Sequence, residues 1–175
     1  SITMGGNATG AHLTYTAIAA RALGVDLINL GSGGSAHCEN ALADYIAARA
    51  DWDAAVLAMS VNMLGFELDE FHRRVSYMVD AVAGADTARP VACITLWPFY
   101  GDMRWAGALW SIDGRAAEDY RQKLRDAVAA CPHPNVHLLE GPALLPDASG
   151  LTGDLIHPGD LAMVDMGRNL AAALR

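Results

Sequence analysis

Long apolar runs, paired cysteines, internal repeats and basic clusters are all missing from this sequence, and each absence excludes a class of protein. No stretch approaches the roughly 18 consecutive apolar residues that a membrane-crossing helix needs, so no span is expected. Three cysteines, Cys38, Cys93 and Cys131, lie far apart and form no CxxC pair, which signals neither a disulfide framework nor a zinc site. No HxxxH or comparable cluster offers metal ligands, so neither a metal nor another cofactor is called for. Free thiols tilt the expected compartment towards a reducing, cytoplasmic one. Basic residues are few and scattered, 12 Lys and Arg against 20 Asp and Glu for a formal charge of −8, which argues against a nucleic-acid backbone as partner.

What is present describes an α/β protein. With 53% hydrophobic and 18% charged residues over 175 positions, the chain is long enough for one domain that buries roughly 70% of its unfolded surface. Residues 1–175 are therefore expected to form a single domain. Apolar residues recur at helical intervals from Ala11 to Leu23, and Gly24 follows where a C-terminal cap belongs. Val25 to Leu30 is a short apolar run that reads as a buried strand entering the glycine-rich loop Gly31-Ser32-Gly33-Gly34-Ser35. Helices are expected over His37–Ala50, Glu67–Ala83, Arg115–Ala130 and Asp160–Leu174. Further strands are expected at Ala54–Ser60, Val91–Leu96 and Asn135–Leu139. Strands alternating with helices imply right-handed βαβ units and a mostly parallel sheet between helical layers, with functional residues in the loops beyond the strands' carboxyl ends. Trp97 to Asp113 fits no regular period and reads as an elaborated loop.

Acyl transfer from an ester needs an activated hydroxyl, a base, a carboxylate to orient that base, and donors for the developing oxyanion. Asp154-Leu155-Ile156-His157 sets a carboxylate three residues before an imidazole, near enough to hold it in one tautomer. A DxxH alone equally describes an exposed Asp and a loop His beside a helix start. It does not stand alone: Ser1-Ile2-Thr3 with Gly5-Gly6, Asn29-Leu30-Gly31-Ser32-Gly33-Gly34, Ser60-Val61-Asn62 and Asp154-x-x-His157 follow one another along the chain.

In order and spacing these four blocks resemble those of the SGNH hydrolases, the GDSL-like lipases and acylhydrolases, over essentially the whole chain. The branch with G-S-S-I-T in its first block and N-M in its third is most similar. The resemblance implies a flavodoxin-like three-layer α/β/α sandwich. It also implies a serine esterase that cleaves a small-molecule carboxylic ester, with a short acyl or acetyl group on a sugar or small metabolite. Ser1 is then the nucleophile, Asp154 and His157 complete the triad, and the Ser1 and Gly34 backbone N–H groups with the Asn62 amide form the oxyanion hole. The broader family's third block is G-x-N-D, whereas Ser60 and Met63 stand here for its Gly and Asp. In the family the serine follows a hydrophobic strand, so an upstream segment with a first strand is expected to be missing before Ser1.

Substrate contacts are expected from His37, Met63, Trp97, Phe99 and Tyr100, whose aromatics suit a sugar face or an acyl chain. Arg104 is a candidate contact for an anionic substrate group. The bland readings stay open beside these. Gly34 fits a left-handed turn, Asn62 a turn at a strand end, and Trp97 to Trp105 an aromatic cluster packed on a helix. The other histidines, His12, His72, His133 and His137, read as solvated or core-satisfied. Two rival functions remain: a non-catalytic flavodoxin-like binding domain, and an N-terminal-nucleophile hydrolase in which Ser1 uses its own amine as base.

Overall fold

The computed structural model of the protein describes residues 1–59, 61–102 and 117–175. Among the described residues nine elements follow one another: α1 (Tyr15–Leu23), α2 (Asn40–Ala48), β1 (Ala55–Ala58), α3 (Leu68–Ala85), β2 (Val91–Ile94), α4 (Ala117–Ala130), β3 (Val136–Leu139), the one-turn α5 (Gly141–Leu144) and α6 (Asp160–Ala173). Short 3₁₀ turns lie at Ala11–Leu13, Val61–Met63, Tyr100–Asp102 and Ala148–Gly150. The described chain groups into two compact units. One takes Ser1–Ser35, the described part of Trp97–Trp110, and Gly141–Arg175. The other takes Ala36–Leu96 and the described part of Ser111–Glu140.

The second unit holds the sheet, β1-β2-β3 in order, with every pairing parallel. Ala55 faces Val91 and Ala58 faces Ile94 across β1 and β2, while Val91 faces Val136 and Ile94 faces Leu139 across β2 and β3. Consecutive parallel strands need a crossover, and α3 and α4 supply the two. All four residues of β2 are buried, as expected of a central strand covered on both faces. Helix α3 buries Phe71, Val75, Met78, Val79, Val82 and Ala83, at helical spacing along one stripe, and packs beside α2 and α4. Phe71 meets Tyr120 of α4 edge to face at 5.2 Å, and the Tyr120 hydroxyl donates to the Leu64 and Phe66 carbonyls. Arg125 of α4 forks onto Glu140 just after β3, with Thr95 donating to the same carboxylate, and these bonds hold the Glu140 carboxyl below its usual range despite partial burial.

In the first unit α1 packs against α6. The helix expected from Ala11 to Leu23 is interrupted at Thr14. Its extended backbone ends the 3₁₀ turn, and its hydroxyl accepts the Ala17 N–H as the N-cap of α1. Gly24 is the left-handed cap foreseen, at φ 72°, donating to Ala20 and Arg21 carbonyls. Helix α2 starts at Asn40 rather than at His37, because Cys38 sits at φ +50°, outside helical geometry.

The parallel α/β class read from the sequence is the one observed, with one correction. Val25 to Leu30 is not a buried strand: Val25, Leu27, Ile28 and Leu30 are 43–57% exposed, and no strand pairs with them among the described residues. An apolar run states a preference for burial, whereas a strand exists only where a neighbour completes its hydrogen-bond ladder. Ser60 and residues 103–116, which include Arg104 and the start of the expected Arg115 helix, lie outside the described residues.

Candidate active site

Ser1, His157 and Asp154 meet in one hydrogen-bonded line, all within the first unit. The Ser1 hydroxyl lies 2.7 Å from His157 Nε2, and His157 Nδ1 lies 2.7 Å from Asp154 Oδ2. Because a carboxylate can only accept, Nδ1 carries the proton and Nε2 is left as the acceptor facing the hydroxyl.

Local structure explains how three residues bring the acid and the imidazole together. Leu151 and Pro158 form an isolated antiparallel bridge, and the Thr152 N–H donates to the His157 carbonyl at 2.8 Å, so residues 151–158 close as a loop. Leu155 stands at its tip at φ +55°, an unusual value for a branched residue. Two backbone bonds fix it there: its N–H donates to the Thr152 carbonyl, and its carbonyl accepts from the Tyr100 N–H. Inside the loop, Asp154 Oδ1 accepts from the Ile156 and His157 N–H groups, both at 2.9 Å, and from the Thr152 hydroxyl at 3.1 Å. Partial desolvation pushes the Asp154 carboxyl up. The two backbone N–H bonds, with those from the His157 imidazole and the Thr152 hydroxyl, outweigh it and hold the group far below the usual carboxylate range. The side chain therefore stays an anion through the acid pH range in which imidazoles charge.

The Ser1 segment is a tight coil. Its carbonyl accepts from the Gly5 and Gly6 N–H groups at 3.0 and 2.9 Å. A Cβ on Gly6 would lie 3.2 Å from His157 Cδ2 and 3.3 Å from the Ser1 carbonyl oxygen, so glycine there lets the imidazole sit against the coil. The glycine-rich loop is tied to the same coil. The Ser1 nitrogen donates to the Ser32 carbonyl at 2.6 Å, and the Asn29 amide donates to the Thr3 carbonyl while accepting from the Gly31 N–H. Gly34 follows at φ +71°, a conformation other residues adopt only with strain.

Two residues that the sequence reading passed over belong to this array. Thr152 is one. The other is Asn7, whose amide nitrogen donates to the Thr152 hydroxyl at 2.8 Å and to Asp154 Oδ2 at 3.3 Å. Thr152 was recoverable, since Thr two residues before an Asp is a turn-forming pattern; Asn7 was not, because 147 positions separate it from Asp154. Asn7 holds φ +68°, so its amide is tested by Asn7→Gly, which keeps the backbone relaxed where Ala would not. If about 1.4 kcal/mol of that charge-assisted bonding is felt as the imidazole turns cationic, kcat falls about tenfold with KM little changed. Steady-state kinetics on an aryl ester checks this, and an unchanged kcat reduces Asn7 to loop structure.

The remaining expected site residues divide between the units. Trp97 and Phe99 are only 4% exposed: Trp97 packs edge to face on Tyr15 at 5.5 Å, and Phe99 meets Tyr100 edge to face at 5.1 Å. Tyr15 belongs to α1, and Tyr100 keeps partial exposure. In the second unit Asn62 lies on the turn after β1, its side-chain oxygen accepting from the Ala36 N–H at 3.3 Å. Met63 is fully buried, and His37 is half-exposed with its ring 5.3 Å from that of Phe66.

An α/β chain with an open parallel sheet that sets a serine hydroxyl on an imidazole–carboxylate pair defines a class, proteins built like the serine hydrolases. A sequence profile of the GDSL-like lipase/acylhydrolase family matches residues 1–175, and the chain belongs to that family. No curated protein sequence matches the chain. Among solved structures it is similar to a GDSL-like lipase of Bacteroides ovatus, with TM-score 0.83, 21% identity, and coverage of 99% of this chain and 50% of that one. It is also similar to the salicylyl-acyltransferase SsfX3 of a tetracycline biosynthetic pathway, with TM-score 0.80, 19% identity, and coverage of 96% and 51%. The aryl esterase of M. smegmatis follows with TM-score 0.68, 15% identity, and coverage of 95% and 86%. The chain thus spans about half the length of the first two. At these identities the likeness is one of fold.

Proposed function

We propose that this chain is a serine esterase, cleaving a carboxylic ester of a small molecule by way of an acyl-enzyme. The observation that carries the reading is the line from the Ser1 hydroxyl through His157 to Asp154, 2.7 Å at each step. Family membership supports it, as do neighbours whose names denote a lipase, an acyltransferase and an aryl esterase.

In this reading Ser1 Oγ attacks the ester carbonyl carbon while its proton passes to His157 Nε2. Asp154 stabilises the imidazolium that results and remains ionised throughout. Collapse of the tetrahedral intermediate breaks the bond to the alcohol oxygen, which leaves with the proton from Nε2. Water, deprotonated by the same nitrogen, then releases the acid and restores the serine. By the family pattern, the oxyanion is received by the Ser1 and Gly34 backbone N–H groups and the Asn62 amide. Acetyl or short acyl esters, on sugars or small metabolites, are the proposed substrates.

The N-terminal-nucleophile alternative is disfavoured by where the Ser1 atoms are bonded. The hydroxyl meets the imidazole, and the nitrogen is turned to the Ser32 carbonyl.

A fluorophosphonate followed by intact-mass measurement tests the proposal. One adduct is expected on the native protein, and none on Ser1→Ala. Absence of any adduct on folded native protein favours the non-catalytic binding domain and removes the esterase reading.

A further inference from the structure

On the side of the second unit where α3 meets the end of α4, three side chains of different chemistry converge. Asp80 stands on α3, and Cys131 and His133 flank Pro132 just beyond α4. One carboxylate oxygen, the thiol sulfur and one imidazole nitrogen all lie within 4.8 Å of one another, and His133 Nε2 is 3.0 Å from Asp80 Oδ1. Asp80 and Cys131 also line a surface groove with Ser76, Tyr77, Ala127 and Arg73, whose guanidinium is paired with Glu70.

A second observation concerns the helix beneath them. Gly84 lies one turn after Asp80 on α3, and a Cβ there would fall 2.8 Å from His133 Nε2 and 3.1 Å from Cε1. The missing side chain is what allows the imidazole to lie on the helix and reach Asp80.

We infer that Asp80, Cys131 and His133 bind a zinc-like divalent cation, with the groove leaving a fourth position to water or a small ligand. Mixed sulfur, nitrogen and oxygen donors select a borderline-soft ion over magnesium or calcium, which take oxygen ligands. Three protein ligands with one open position is the pattern of zinc sites that exchange ligands. Metal–ligand bonds of about 2.0–2.3 Å set tetrahedral donor spacings of about 3.3–3.8 Å. Closing from 4.8 Å asks for side-chain rotation, which the exposed Asp80 and half-exposed Cys131 can make. Cys38 and Cys93 are buried, so Cys131 is the thiol open to an added ion. This site does not rest on the esterase reading.

The probe is cobalt(II) added to the full chain under reducing conditions, followed by displacement with zinc. Saturable binding at one equivalent is expected, with a thiolate-to-cobalt charge-transfer band and the intense visible bands of four-coordinate cobalt. Zinc should abolish both. Cys131→Ser should remove the charge-transfer band, and His133→Ala, Asp80→Asn and Gly84→Ala should each weaken binding at least about tenfold. Gly84→Ala removes no ligand, so its effect reads the seat of the ring; far-UV circular dichroism shows whether each variant is folded. A native protein without a saturable cobalt spectrum overturns the site, as does equal affinity in folded Cys131→Ser and His133→Ala.

Discussion

His157→Ala is expected to lower kcat on a short acyl ester by about 10⁴- to 10⁶-fold while the protein stays folded, the range seen when a triad base is deleted. The imidazole is the partner of the Ser1 hydroxyl and the group fixed by Asp154, so its loss leaves the hydroxyl at its ordinary, weak nucleophilicity. Under the proposed esterase reading, the pH profile of the native protein gives an independent check. A carboxyl with a depressed pKa keeps its charge until the pH falls through that low value, so Asp154 stays ionised across the mildly acid range. Protonation of Asp154 should therefore add no proton to the loss of activity across the mildly acid range, and the steeper limb that two groups would give is not expected. Comparison of log kcat/KM against pH checks this. A profile flat through the acid range, or a His157→Ala variant with native turnover, removes His157 as the base.

Asn62→Ala is expected to lower kcat by about 10²- to 10³-fold with KM nearly unchanged, since an oxyanion donor acts on charge that exists only in the transition state. The Asn62 side-chain oxygen accepts from the Ala36 N–H, which orients the amide and leaves its NH₂ edge to donate. Asn62→Asp should be no better than Ala, because it keeps the shape but replaces a donor with an acceptor. Single-turnover acylation with an aryl ester isolates the step. Native rates in Asn62→Ala would take Asn62 out of the site and return it to a turn former after β1.

By the resemblance, Met63 stands where the broader family's third block has Asp. Met63 is fully buried, so an apolar contact stands where the family has a carboxylate. The Ala36 N–H, donating to the Asn62 side-chain oxygen, fixes the neighbouring amide.

Several features were settled by the sequence alone, because they depend on neighbours along the chain. The parallel α/β class followed from alternating strand and helix patterns, and α3 followed from apolar spacing that one helix face enforces. The Gly24 cap followed from the need for a left-handed residue. The pairing of Asp154 with His157 was equally local, three residues within one closed loop. Tertiary structure decided what depends on groups far apart in the chain. It set Asn7 on Asp154, packed Trp97 against Tyr15, left Val25 to Leu30 without a ladder partner among the described residues, and brought Asp80, Cys131 and His133 together. Periodicity records which side of an element is apolar; which neighbour covers that side, and which distant polar atoms meet there, is fixed only when the chain closes on itself.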